Sequence, residues 1–313
     1  AVTGVGFAPD LTWIKNRDEA DDHILVDEVR GATKYLVPND QDAEVDDNTF
    51  VASLDADGFT VGDDVAVNTN TENYASWNWK GGGTGVSNTD GTIASTVSAN
   101  TSAGFSIVKW TSTGSNATVG HGLSEAPTFI IPKDYDDGSS DWNTGSTLIG
   151  WTEYMTLNDA SQPSTSSTVW QDTAPTASVI SVGTDWTATN DIIFYCFHEV
   201  EGYSKFTKYV ANNDDDGPFI YTGFKPAFTI IKAYITGSDD WNIQDRTREP
   251  YNPVQEYLFS NGNSAEVDSS AKQIDYVSNG IKIRCDDNGW NNNSATYLVM
   301  AFAETPFKTA NAR

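Results

Sequence analysis

Residues 6–15 read Gly-Phe-Ala-Pro-Asp-Leu-Thr-Trp-Ile-Lys, and residues 223–232 read Gly-Phe-Lys-Pro-Ala-Phe-Thr-Ile-Ile-Lys. Between them Gly122-Leu123 leads, after two extra residues, into Pro127-Thr128-Phe129-Ile130-Ile131-Pro132-Lys133. In every copy a lysine follows the proline by six residues, as Pro9 to Lys15, Pro127 to Lys133 and Pro226 to Lys232. The motif has the physics of a turn feeding a strand. Glycine permits φ > 0, proline fixes φ, and a β-rich run follows. A self-similar element recurring at intervals of about 100 residues decides the fold class before any local propensity does.

An acidic polar loop follows each lysine. Two copies then show Ser-Asp-Trp-Asn (140–143) and Asp-Asp-Trp-Asn (239–242), where the first has Asp22-His23-Ile24. Copies one and three share Asp27 with Arg30 and Asp245 with Arg248, an element that copy two lacks. Each copy closes on an aromatic strand-like run: Tyr74 to Trp79, Ile192 to Phe197, and Tyr297 to Phe302. Helical patterning is sparse, with one candidate near Asn252–Phe259 and a weaker one near Asp27–Leu36. Many short strands per ~100 residues predict an all-β chain of three tandem β-sandwich repeats, jelly-roll or lectin-like, with minimal helix.

The boundaries follow from composition. Residues 1–83 form the first sandwich and 84–103 a Ser/Thr/Gly-rich linker or arm. Residues 104–202 form the second sandwich and 203–313 the third. Copies two and three open with a strand before the glycine motif, at Gly104–Trp110 and Ser204–Val210, whereas copy one starts at Ala1. Its first strand is expected to be missing, through processing of a longer precursor or because another segment supplies it by β-augmentation.

Charge narrows the partners. Asp and Glu number 44 against 18 Lys and Arg, a formal net charge of −26. Such a chain repels phosphate backbones and anionic lipid, so neither nucleic acid nor membrane is expected as a partner. No apolar run approaches the ~20 residues of a membrane-spanning helix. Salt screens self-repulsion within ~10 Å at 0.1 M, so the balance suits salty extracellular water. The two cysteines, Cys196 and Cys285, form no CxxC pair and read as free buried thiols.

These motifs together resemble a repeat family of virion appendage proteins, tail fibre-like structural proteins of tailed bacteriophages from marine and freshwater bacteria. The resemblance is carried by Gly-Phe-x-Pro-x-Φ-x-Φ-Φ-Lys, Arg30-Gly-Ala-Thr-Lys-Tyr, Asn88-Thr-Asp-Gly-Thr-Ile, Val97-Ser-Ala-Asn, Gly104-Phe-Ser-Ile-Val, Val119-Gly-His-Gly-Leu, Glu201-Gly-Tyr-Ser-Lys-Phe, Gly217-Pro-Phe-Ile-Tyr-Thr-Gly-Phe and the ending Met300 to Arg313. It covers essentially the whole chain. It implies a virion location, a β-sandwich fold, contacts with other virion proteins and copies of itself as a homo-oligomer, and no catalytic residue.

Exposed Trp beside Asp and Asn can stack a host glycan, which makes Trp142, Trp241, Trp186 and Trp290 carbohydrate candidates. The fixed repeat position of Trp142 and Trp241 favours core packing. Asn212, Asp214 and Asp216 imitate the opening of an EF-hand loop, but position twelve is Gly223 where that loop needs Glu. A looser Ca²⁺ site could form there or at Asp134 and Asp136; solvated acidic turns are the simpler reading. No other cofactor is indicated. Paired carboxylates could hydrolyse glycosidic bonds, but 44 acids make some such pair inevitable. His23, His121 and His198 fall in different copies and suggest no cluster. The expectation is therefore a non-enzymatic virion structural protein. A lectin-like receptor module is the first alternative and a polysaccharide-cleaving enzyme the second.

Overall fold

The computed structural model describes residues 1–235 and 239–304; the last part of the C-terminal motif, 305–313, lies outside the described residues. The described chain is nearly all β, arranged in six antiparallel sheets, and its three helices have four residues each. It divides into a larger unit, residues 1–158 with 164–198, and a smaller unit made of Asp159–Pro163 and the chain from Glu199.

Each motif copy places its lysine on a central strand: Leu11–Asn16, Phe129–Asp134 and Pro226–Ile235. The first two are buried at every residue, as strands covered on both faces must be. The motif glycine supplies the entry turn in all three copies, with Gly6, Gly122 and Gly223 at φ +86°, +69° and +84°.

The same neighbours surround each lysine strand. On one side lies the closing aromatic strand: Tyr74–Trp79, Asp191–Phe197 or Thr296–Ala303. On the other side run three successive strands, beginning with Ile24–Asp27, Asn143–Ser146 or Asn242–Asp245. In copies two and three an opening strand, Phe105–Thr111 or Ser204–Val210, covers the far edge of the closing strand. In copy one Tyr74–Trp79 ends the sheet, so no described strand takes that place.

Residues 86–88 and 95–100 are strands that extend the copy-two sheet beyond its opening strand. Gly81 and Gly82 approach this extension so closely that a Cβ on Gly82 would stand 2.6 Å from the Ala99 carbonyl oxygen. The glycine run there is a requirement of close backbone contact. Asp10 secures it by accepting the Gly81 N–H at 2.7 Å, and burial raises its pKa.

A smaller sheet accompanies each copy and begins just upstream of the glycine motif. In copy one it joins Val2–Thr3, Gly58–Val61 and Val51–Asp55; in copy three it joins Phe219–Tyr221, Gly280–Ile283 and Ile274–Val277. Copy two pairs only Ala117–Gly120 with Val179–Val182, preceded by the helix Ser167–Trp170. Trp170 from that helix meets Trp151 and Trp186 edge to face, at 5.5 and 6.0 Å between ring centroids.

Both expected helices are corrected by the structure. Glu256–Phe259 and Lys34–Leu36 are strands. Short apolar runs do not distinguish the two periods, and pairing with Asn242–Asp245 and Ile24–Asp27 overrides the local pattern. The four-residue helices instead follow the N-caps Asp64, Ser166 and Asp287. Both cysteines are free and buried.

Candidate functional site

The motif lysines are the most unusual chemical feature of the chain. Lys15, Lys133 and Lys232 are all 0% exposed, a rare condition for an ammonium group. Each is held by main-chain carbonyls. Lys133 Nζ donates to the oxygens of Gln41, Asp137 and Ser140 at 2.7, 3.0 and 2.6 Å. Lys232 Nζ donates to Ala160 O at 2.7 Å and to Asp239 O. Lys15 donates to the carbonyls of Asn16 and Glu19.

The acidic loop after each lysine thus folds back and presents its peptide oxygens to the ammonium. Burial pushes Lys133 and Lys232 down to about 8, against the opposing pull of nearby aspartates. At both lysines a further carbonyl comes from an earlier stretch of chain. For Lys133 it is Gln41, two residues past Asn39; for Lys232 it is Ala160, two residues past Asn158.

Those asparagines expose a signal the sequence reading missed. Tyr35, Tyr154 and Tyr257 are each followed four residues later by Asn39, Asn158 and Asn261. Each Asn Oδ1 accepts a backbone N–H: His23, Trp142 and Trp241, at 2.8, 3.0 and 2.8 Å. Each Nδ2 donates to the preceding aspartate, Asp22, Asp141 or Asp240, at 2.7 to 2.8 Å. The Asp-Trp pair of copies two and three, Asp22-His23 in copy one, is therefore latched to the turn that follows the third strand of its sheet. Removing this latch by Asn261→Ala is expected to cost about 1–3 kcal/mol, read as a lower melting temperature; an unchanged melt would show the latch to be dispensable.

The Asp-x-x-Arg elements are buried ion-pair triads. Asp27 Oδ2 meets Arg30 Nε at 2.5 Å, Arg30 Nη1 meets Glu44 at 3.0 Å, and the Tyr195 hydroxyl donates to Asp27 at 2.8 Å. Asp245, Arg248 and Glu266 repeat the arrangement, with Arg248 Nε at 2.6 Å from Asp245. Burial disfavours each arginine's charge, yet the acidic partners outweigh it and hold both guanidiniums above their ordinary value. By strand register the copy-two positions are Ser146, Ile149 and Pro163, so the whole triad is exchanged together.

The tryptophan candidates sit in the core. Trp142, Trp241, Trp186 and Trp290 are 0, 1, 3 and 0% exposed. The sugar-stacking expectation does not match this placement, because none of the four rings offers a face to solvent. Trp142 instead donates its indole N–H to Asp40 O at 2.9 Å, and Trp241 lies 5.7 Å from the Lys232 ammonium. Repeat position marked the latch.

The metal candidates bond to protein groups. Asn212 is bound to Asn291, Asp214 accepts the Asp216 N–H, and Asp216 pairs with Lys282 at 2.7 Å. Asp134 accepts Asn190, and Asp136 accepts the Asp191 N–H. Among the described residues no group of three His, Cys, Asp or Glu side chains gathers around a common point. Two of the histidines are structural as well. His23 Nδ1 accepts the Trp13 indole N–H, and His121 bonds to Thr176 O and the Leu123 N–H.

A family model described as a domain of unknown function, DUF7483, matches residues 1–306. No curated protein and no solved structure matches the chain.

Proposed function

We propose, for a chain that belongs to the DUF7483 family over nearly its whole length, a non-enzymatic structural role in a bacteriophage virion appendage. On this reading three tandem β-sandwich units of jelly-roll type are joined in series. They assemble with copies of the same chain and with other virion proteins in extracellular water. The resemblance carried by the motifs supplies the virion assignment.

One observation carries the structural part. The side chains a catalytic or metal site would recruit are committed to holding loops against strands: buried lysines on carbonyls, Asp–Arg–Glu triads, Asn latches. Buried polar groups satisfied in this way rigidify and specify one arrangement. Many other acids, Glu19, Asp172 and Asp214 among them, are exposed, which suits a surface that repels nonspecific anionic contacts.

Peptide mass spectrometry of gradient-purified particles from the phage that encodes the chain tests the assignment. Peptides at a fixed stoichiometry to a known coat component are expected. Their absence from intact particles would overturn it.

A further inference from the structure

We propose that the smaller unit carries a saccharide-binding site for a neutral pyranose, built on Tyr221. The strand Phe219–Tyr221 is the edge of its sheet, pairing with Gly280–Ile283 on one side. Its alternation turns Phe219 and Tyr221 to one face and buries Ile220. Their exposures are 49 and 63%, unusual for two large rings so close together. Residues two apart on a strand lie about 6.7 Å from each other, which sets both rings on one face of this edge strand. Adjacent exposed rings rimmed by polar residues are one feature of ligand-binding surfaces.

Beside Tyr221 lies a cavity of ≈260 Å³, just below the ~300–1,000 Å³ common for small-molecule sites and suited to one sugar ring. Its lining includes Glu199, Glu201, Lys205, Thr222 and Gly223. Glu199 and Lys205 pair at 2.6 Å at its wall. A carboxylate and an ammonium side by side offer an acceptor and a donor together, which is what adjacent sugar hydroxyls require.

The walls are set in advance. Thr222 and Gly223 are tied to the Asn279 carbonyl at 3.0 and 3.3 Å, and Ser204 Oγ accepts the Val200 N–H across the turn before Lys205. The Tyr221 hydroxyl lies 3.5 Å from where a Cβ of Gly223 would stand, so the ring lies beside the cavity-lining turn at Gly223.

Charge selects among sugars. Two glutamates face one lysine in the cavity, and the chain as a whole carries −26. Uronates and sialic acids are therefore disfavoured and neutral hexoses favoured. A protein partner would favour a flat apolar patch over a polar cavity beside two rings.

The site is tested with the full chain on an array of neutral glucans, mannans and galactans, with uronate and sialylated glycans as a separate arm, followed by calorimetry on the strongest neutral ligand. Binding to a neutral glycan is expected, weakened about tenfold or more by Tyr221→Ala and little changed by Tyr221→Phe, which keeps the stacking face. Phe219→Ala is expected to weaken an oligosaccharide but not its monosaccharide. Unchanged melting confirms folding of each variant, since both rings are solvent-facing. Binding that survives Tyr221→Ala, binding only to anionic glycans, no glycan binding, or Tyr221-dependent self-association in its place would each overturn the site. Particle composition is a separate measurement, so this site and the virion assignment can fail independently.

Discussion

Asp27→Ala is expected to destabilise the larger unit by about 3 kcal/mol or more, the effect of removing the nearest carboxylate from a buried ion-pair network and leaving its charge under-compensated. Asp27 and Arg30 have no exposed side-chain surface, and Asp27 also accepts the backbone N–H groups of Val29 and Arg30 at 3.0 and 2.9 Å. Its loss leaves the guanidinium with Glu44 alone for a carboxylate, at 3.0 Å, and strands two amides and the Tyr195 hydroxyl. The chain itself supplies the control. In copy two, Ser146 keeps the amide bond by accepting the Leu148 N–H at 3.1 Å, and Ile149 stands where the other copies have arginine.

Asp27→Ser combined with Arg30→Ile should therefore be milder than Asp27→Ala alone, because replacing both ions removes the under-compensated charge. Glu44 retains its second partner, Lys34, at 3.0 Å. Urea unfolding of the single and double variants measures the difference. A double variant less stable than Asp27→Ala would contradict the assignment of the cost to an under-compensated charge.

Lys133→Met is the second large effect. Methionine fills the space of the lysine stem but gives no donor to the carbonyls of Gln41, Asp137 and Ser140. Unmet buried carbonyls cost about 1–3 kcal/mol each at most, offset by removal of a buried charge, so a loss of roughly 3 kcal/mol is expected at pH 7.

The pH dependence separates these terms. A lysine in the unfolded chain titrates near 10.4, whereas Lys133 and Lys232 are pushed down to about 8. Between about pH 8 and 10 the unfolded chain holds more protons than the folded one, so stability rises with pH across this window. The full desolvation penalty is present below pH 8 and is relieved above it, by at most about 3 kcal/mol per lysine. Tyr203 and Tyr297, pushed up to about 12 by burial, act in the opposite sense. Their contribution is present below pH 10 and is lost as the pH rises through 12.

Urea midpoints at pH 7.5, 8.5 and 9.5 are expected to increase for the native chain and to increase less for Lys133→Met. The penalty of the substitution thus grows with pH. Equal slopes in the two proteins would show that the Lys133 ammonium is not under strain.

The repeated Gly-Phe-x-Pro stretch with its lysine, and the aromatic runs that close each copy, made the three lysine strands and their closing strands legible, because strand alternation and turn chemistry are local properties. The sequence also set Asp27 three residues before Arg30 and Asp245 three before Arg248, a spacing short enough for the pairs the structure shows. The Asn latches were equally visible as Tyr-x-x-x-Asn at 35–39, 154–158 and 257–261, but nothing local explains them. Their partners lie 16 to 21 residues upstream.

By itself, then, the sequence determined the strands, the repetition and the sign of the surface charge. The tertiary structure decided which charges are buried and what they meet. The recurring tryptophans turned inward, the acidic loops offered carbonyls in place of carboxylates, and Gln41 came to lie against a lysine 92 residues away. Burial depends on packing between segments far apart in the chain, and an ammonium held by peptide oxygens leaves no mark in side-chain spacing, since every residue supplies a carbonyl. The exposed pair Phe219 and Tyr221 shows the converse: their pattern reads as an ordinary strand, and only the edge position and the neighbouring cavity single them out for the binding role proposed above.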